Sequence, residues 1–516
     1  MLKHNWRFTV LKNKSWLPHL TNEMMIGARN NNLCSYLVAL EGWRRGLTLK
    51  WYSEKVKKRG VHAPGRLFSL SSDNETRMFY KSKGDKVSNE SLRITGNKDL
   101  AKKWLSNHNV PVPEGKRFTK DDQNNEIIQY AKEVGFPIVL KPTNGYQGIG
   151  VIANIESVEY LEKSLVHVRS DLDYPDVIVE RYVAGEEYRV FVVEDIVIAA
   201  INRIPANVIG DGINTVEKLI TMKNKERRKN PRLFSCLIKI DYEVKNFIKR
   251  AGLTLDSIPN KGQQIFLREK SNISTGGDSV DVRDELPVEI KKVAIEALKA
   301  MPSLPHAGVD IIVNPNQPVD KAAVVLEINA IPQIGSLVFP MIGQARDVPS
   351  AIIDYYFPET KEKKNYNDRV YFDFKGILEP LMSKSASEVT VSPPPLTHTF
   401  AKKYVIIGKV QNVRYRRWIR KKALEADLYG YAQNLKDGSV AVVVAGEEET
   451  VNKFKEICEQ GSKASEVSGV TESVWNNPIK VGFEIKGDSK MKKKSPITQP
   501  QNKKKPTLIQ RIKKYV

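Results

Sequence analysis

The sequence predicts a multidomain chain of α/β and α+β class, and three observations carry that expectation. Apolar strand-like runs alternate with helical segments up to about residue 358. A polar, proline-bearing stretch follows at 359–399, with Lys361–Lys364 and Pro393-Pro394-Pro395, and reads as a linker with some local structure. A second pattern of strand, helix, hairpin, helix and strand then runs from Lys403 to about residue 475. With 516 residues the chain has room for three or four domains at the usual ~100–200 residues each.

Residues 1–94 alternate short runs such as Leu47–Tyr52 with an amphipathic stretch near 30–45, which predicts a small α/β domain. A helix is expected over Lys98–His108, with Val110-Pro111-Val112-Pro113 turning the chain out of it. Phe136–Pro142 reads as a buried strand that delivers Lys141, and Thr143–Val151 as a loop carrying Gly145, Gly148 and Gly150. Glycines let backbone N–H groups approach phosphates, and a lysine adds a point charge. Taken alone such a loop is an ordinary hairpin more often than not, and it lacks the G-x-x-x-x-G-K-[ST] pattern of a Walker loop. The strand Val177–Val183 follows, then Gly185–Val190.

Two further strands, Gly308–Ile312 and Val324–Ile328, carry Asp310, Glu327 and, just beyond, Asn329. Side chains alternate faces along a strand, so Glu327 and Asn329 share a side. With Asp310 from the neighbouring strand they form an all-oxygen set suited to magnesium beside phosphates.

The order Lys98, Lys141, glycine loop, Glu180, Glu187, Asp310, Glu327, Asn329 resembles the ATP-grasp carboxylate ligases over roughly residues 95–358. Within them, Arg203–Gly212, Thr215–Ile220 and Leu267–Ser279 resemble the module shared by cyanophycin synthetases and bifunctional glutathione synthases. The resemblance implies an ATP-grasp fold, with a preceding small α/β domain, that uses ATP and magnesium, or manganese as the alternative. It implies Lys98 and Lys141 on the phosphates, the Gly145–Gly150 loop as a lid, Glu180 and Val183 at the adenine and Glu187 at the ribose. Arg203, Arg268 and Asn272 would face phosphate or the acyl intermediate. The second ligase domains of those relatives have no counterpart in this sequence, so their products do not carry over.

The module from about 400 to 486 differs. Lys403–Arg416 reads as a strand, a short loop and an arginine opening a helix; Tyr429–Val444 as a hairpin around Lys436-Asp437-Gly438; residues 447–460 as a helix and 466–475 as a last strand. This is the β-α-β-β-α-β order of a ferredoxin-like domain, and its loop is similar to that of acylphosphatases. The resemblance implies an anion held by backbone N–H groups of the Gln411–Arg416 loop, neutralised by Arg416, with Asn434 orienting the attacking water. Asn412 stands where acylphosphatases usually have glycine, and Arg414 where they have a smaller residue. Asparagine tolerates left-handed backbone angles, which favours survival of the loop.

Composition narrows the classes. Cys34, Cys236 and Cys458 are scattered and odd in number, which argues for a reducing cytoplasm and against a disulfide framework or a zinc site. The absence of any run of ~18 apolar residues predicts no membrane span, and the first thirty residues predict no secretory signal. Much of the formal charge of +22 lies in a basic tail at 487–516. That tail is read either as a solvated disordered segment or as a contact for an anionic surface or polymer.

The expected function is an ATP- and magnesium-dependent ligase that joins a small carboxylate, an amino acid or peptide, to an amine through an acyl phosphate. The fused domain would hydrolyse acyl phosphates. The alternative is an acylphosphatase whose ATP-grasp half is a nucleotide-binding regulatory module.

Overall fold

Helix Leu33–Arg44 is buried along its whole length, so the amphipathic face expected near residues 30–45 is replaced by an all-round buried surface. Its charges are neutralised locally: Arg45 pairs with Glu41 one turn back at 2.7 Å, with Asp354 at 2.6 Å and with the Ser350 hydroxyl at 2.7 Å. A buried guanidinium survives only with such partners. The computed structural model describes residues 16–53, 55–56, 61–62, 64–143, 149–363, 367–395 and 399–487; the basic tail beyond Gly487 and the loop positions Gly145 and Gly148 lie outside the described residues.

An antiparallel sheet accompanies this helix in the order Glu388–Thr390, Thr48–Tyr52, Leu67–Ser71, Thr76–Tyr80, Lys83–Gly84. Its outer strand comes from 359–399, the stretch expected to be a linker. That stretch is instead folded in: Phe372, Phe374, Leu378 and Leu381 share a core with Trp43 and Trp51, and Trp43 donates to the Ser392 carbonyl at 2.7 Å. Phe374, Leu378 and Leu381 recur at helical spacing, which gives helix Phe374–Met382 an apolar face that outweighs the flanking lysines and prolines. The same core contains Phe191, Val193, Ala199 and Ile201. The described residues between 16 and 94 thus pack together with later parts of the chain.

Two sheets carry the candidate site residues. One runs in the order Gly115–Phe118, Val177–Arg181, Ile138–Pro142, Ile152–Ile155. The other runs Asp278–Asp281, Ile196–Ile204, Glu186–Val193, His306–Val313, Ala323–Asn329. Both are antiparallel throughout. Residues up to 399 together with 477–481 form one compact unit, and 400–476 with 482 onward a second.

The second unit has the ferredoxin-like order with one strand added. Its sheet runs Glu466–Val474, Phe400–Lys409, Val440–Gly446, Tyr429–Asn434, Phe483–Lys486. The last strand lies parallel to Tyr429–Asn434 and was not anticipated from the sequence. Helices Tyr415–Glu425 and Glu448–Gln460 contribute Tyr415, Ile419, Val451 and Phe454 to a core with Val440, Val442 and Val444.

His306, at the start of its strand, is fully buried, and neither ring nitrogen has a hydrogen-bond partner. It lies 6.0 Å from the rings of both Phe191 and Tyr356. Burial, helped by Lys83, lowers its pKa from 6.5 to about 4. Between those values the unfolded chain binds a proton that the native state refuses, so stability is lost as pH falls from about 6.5 to 4 and no further below. The shift is worth about 3 kcal/mol. Denaturation of His306→Phe across this window should show a shallower pH dependence than the parent, by about that amount; parallel curves would refute a buried neutral imidazole.

Candidate active site

Lys98 opens helix Lys98–Asn107, where the Asn97 side chain caps the N–H groups of Asp99 and Leu100 at 3.1 Å. Burial lowers the Lys98 pKa while Glu327 and Glu180 counter it, so this ammonium faces both carboxylates. Lys141 projects from strand Ile138–Pro142 and meets Glu180 at 2.7 Å. Lys102, one turn beyond Lys98, grips the same Glu180 oxygen. Glu180 is buried, which pushes its pKa up, but Lys141 and Lys102 outweigh burial and hold it below the usual range. The carboxylate expected at the adenine is therefore engaged by two lysines. Val183 follows this strand half-buried, and Gly150 has φ +72°, where a side chain would be strained.

Strand register builds the second part. Asp310 lies directly opposite Glu327, and Gly308 opposite Asn329, with a register shift just after Asp310. The three oxygen-bearing side chains thus share one face of adjacent strands. Asp310 takes both prongs of Arg189, at 2.7 and 2.8 Å, and Arg203 at 3.2 Å. Arg203 also bonds Glu187, which accepts from Ser271 as well. With its amide oriented by this network, Asn329 donates to Glu327 at 2.9 Å and accepts from Arg189 at 3.3 Å.

A buried carboxylate, Asp310, facing a half-buried one, Glu327, makes an electrostatic problem. Arg189 and Arg203 overcome burial at Asp310 and keep its pKa low, whereas burial, and then the Asp310 charge, push Glu327 up; Lys98 and Arg189 offset this only in part. The site lacks positive charge at Glu327. Two carboxylates and an amide give hard oxygen donors only, which fits magnesium or manganese. Among the described residues no group of three His, Cys, Asp or Glu side chains that could hold a metal ion gathers.

Arg268 pairs with Asp241 and Glu243 at the start of helix Tyr242–Arg250. Asn272 caps a short turn through the Ser274 N–H at 2.9 Å. The sequence reading missed Arg189 and Lys102. Both had a signal: Arg189 lies two residues from Glu187 on a strand, and Lys102 four from Lys98 on a helix, so each shares its neighbour's face.

In the second unit, strand Phe400–Lys409 ends in a bulge at Gly408, φ +127°, where a Cβ would sit 2.1 Å from the Glu466 carbonyl oxygen. The following loop holds Asn412 at φ +62° and Arg414 at φ +60°, conformations that cost a non-glycine residue about 1–2 kcal/mol. Gln411 fastens the loop through two 2.8 Å bonds to the Leu435 and Ser439 carbonyls. Arg416, in the first turn of its helix, donates to the Lys486 carbonyl at 3.2 Å. Asn434 is buried, and its carbonyl oxygen makes no hydrogen bond.

A RimK-like ATP-grasp domain model matches residues 95–211, and an acylphosphatase model residues 402–485. The glutathione biosynthesis bifunctional protein of Clostridium perfringens is 30% identical over 67% of this chain and 44% of its own length. The cyanophycin synthetase of a Nostoc species is 35% identical over 53% of this chain and 30% of its own. The chain therefore spans less than half the length of these relatives. Among solved structures, a bifunctional glutathione synthetase from Pasteurella multocida matches with a TM-score of 0.44 and 30% identity, over 57% of this chain and 40% of that one. No helix among the described residues is long and apolar enough to cross a membrane.

Proposed function

From the premise that this chain carries a RimK-like ATP-grasp domain and an acylphosphatase domain, we propose that it is a carboxylate–amine ligase with a fused acyl-phosphate hydrolase. One observation carries the reading: Asp310, Glu327 and Asn329 share a strand face, with Glu327 in the field of Lys98. Lys98 and Lys141 bind the nucleotide phosphates, and Val183 and Glu187 the nucleoside. Magnesium held by Asp310, Glu327 and Asn329 would supply charge neutralisation at the phosphates. A substrate carboxylate oxygen bonds to the γ-phosphorus, the bond to the bridging oxygen breaks, and its electron pair leaves on ADP. Arg203 spreads the charge that develops. An amine then attacks the acyl carbon and phosphate departs.

The names of the relatives, glutathione biosynthesis and cyanophycin synthesis, direct the search toward amino acids and short peptides. ADP release should rise several-fold only when a carboxylate and an amine from that class are both present. Hydrolysis of benzoyl phosphate, with ATP turnover indifferent to every pair, would overturn the ligase reading in favour of an acylphosphatase with a nucleotide-binding module. In the acylphosphatase domain the loop N–H groups and Arg416 hold the phosphoryl group, and Asn434 accepts from the attacking water.

A further inference from the structure

Arg414 is placed at a cost that its contacts inside the protein do not explain. Its backbone lies at φ +60°, in the left-handed region, where an arginine is disfavoured and a glycine would not be. The loop is fixed on both sides of it: Gln411 is bonded to the Leu435 and Ser439 carbonyls, and Tyr415 is buried with its hydroxyl donating to the Cys458 carbonyl at 3.0 Å. The Arg414 carbonyl accepts from the N–H groups of Arg417 and Trp418 at 3.0 and 3.1 Å, so its backbone closes the first turn of the helix. That task needs no side chain. The side chain itself is exposed, and among the described residues no carboxylate pairs with its guanidinium.

Other surface cations of this unit find partners. Lys402 pairs with Glu472 at 2.9 Å, Lys409 with Glu466 at 3.3 Å and Lys422 with Glu425 at 2.9 Å. The Arg414 charge is left over, and it stands two residues before Arg416 on the loop read as an anion cradle. The turn that Gln411 fastens to this loop begins just after Asn434, whose carbonyl oxygen is buried and without a hydrogen-bond partner. Loop N–H groups and Arg416 are enough for a phosphoryl group, so a further unpaired guanidinium on the rim suits a second negative charge on the same substrate. We propose that Arg414 determines specificity in the hydrolase site by favouring acyl phosphates whose acyl part carries its own carboxylate, as that of a dicarboxylic amino acid does. Arg414 takes no part in bond making; it holds the acyl group by a charge-assisted pair. This rests on the reading of Gln411–Arg416 as the acyl-phosphate loop.

Benzylphosphonate and 4-carboxybenzylphosphonate are stable analogues that differ by one carboxylate, held by the ring away from the phosphorus. Calorimetric titration of the full chain without ATP should find the carboxylated compound about fivefold tighter, the upper range for an exposed ion pair, and 4-carbamoylbenzylphosphonate no tighter than benzylphosphonate. Arg414→Gln should bring the ratio to about one, Arg414→Lys should keep part of it, and about 1 M salt should erase it. Arg414→Gly suits the left-handed backbone better than arginine does, so it carries the test should the glutamine variant not fold. The same ratios should appear in kcat/KM for 4-carboxybenzoyl phosphate against benzoyl phosphate. Equal affinities in the parent, a carbamoyl compound as tight as the carboxylate, or a ratio that survives in Arg414→Gln and Arg414→Gly would overturn the proposal while leaving the anion loop standing. Benzylphosphonate binding that is absent from the parent, or that persists in Arg416→Ala, would overturn the reading of the loop itself.

Discussion

Glu327→Ala should lower ATP turnover by about two orders of magnitude or more while leaving the fold as stable as before, or slightly more so. Both halves come from one fact, that Glu327 is a carboxylate held against its preference. Burial and the facing Asp310 charge raise its pKa, so its ionised form costs the native state free energy without a bound cation. Deleting it relieves that repulsion. It also removes one of the two carboxylates that neutralise a metal's charge, and a loss of ~3 kcal/mol of charge stabilisation corresponds to about a hundredfold in rate. Thermal denaturation and ADP release measured on the same preparation make the check. Turnover preserved in Glu327→Ala would remove the cluster from the chemistry, whereas a collapse in stability would make Glu327 a structural residue.

Arg416→Ala should abolish inorganic phosphate binding by the acylphosphatase domain, and Asn434→Ala should keep binding and lose the rate of acyl phosphate hydrolysis by about 100-fold. A charge-assisted pair to phosphate is worth roughly 2–3 kcal/mol, so loss of Arg416 alone amounts to about 30- to 100-fold in affinity. Asn434 has a different task. Its buried carbonyl oxygen has no partner, an arrangement that costs about 1–3 kcal/mol in a folded protein and suits an acceptor reserved for a water proton. Asn434→Ala should accordingly melt at or above the parent temperature. Calorimetric titration with phosphate and benzoyl phosphate hydrolysis, both on the full chain, separate the two roles. Equal loss of binding in both variants would make Asn434 part of the anion cradle. Binding without hydrolysis in the parent would point to Asn412 and Arg414, and Asn412→Gly then becomes the informative variant.

The residues whose roles depend on local periodicity were legible before the structure. Asp310, Glu327 and Asn329 could be placed on one face because strand alternation is a two-residue rule, and Lys98 opens its helix where the Asn97 cap predicts. Partnerships between distant segments were not legible. Arg189 finds Asp310 only because two strands lie side by side in one register, and Lys102 finds Glu180 because a helix end meets a strand 78 residues later. The pairing of Arg268 with Asp241 and Glu243 was likewise not legible. The stretch 359–399 reads as a linker because of its local lysine and proline runs, while its aromatic and leucine side chains pack in one core with Trp43 and Trp51.

The return of Glu388–Thr390 to the edge of the first sheet has a consequence for how the chain is made. Lys50 waits for Glu388, 338 positions downstream, to complete its ion pair, and at ribosomal speeds of about 5–20 residues per second that is roughly 20–70 s. Throughout this interval strand Thr48–Tyr52 exposes one unpaired edge and Trp43 lacks its acceptor, Ser392. An open edge of this kind pairs readily with other nascent chains. Slowing synthesis between residues 53 and 388 should therefore lower soluble yield more than slowing it anywhere in the second unit.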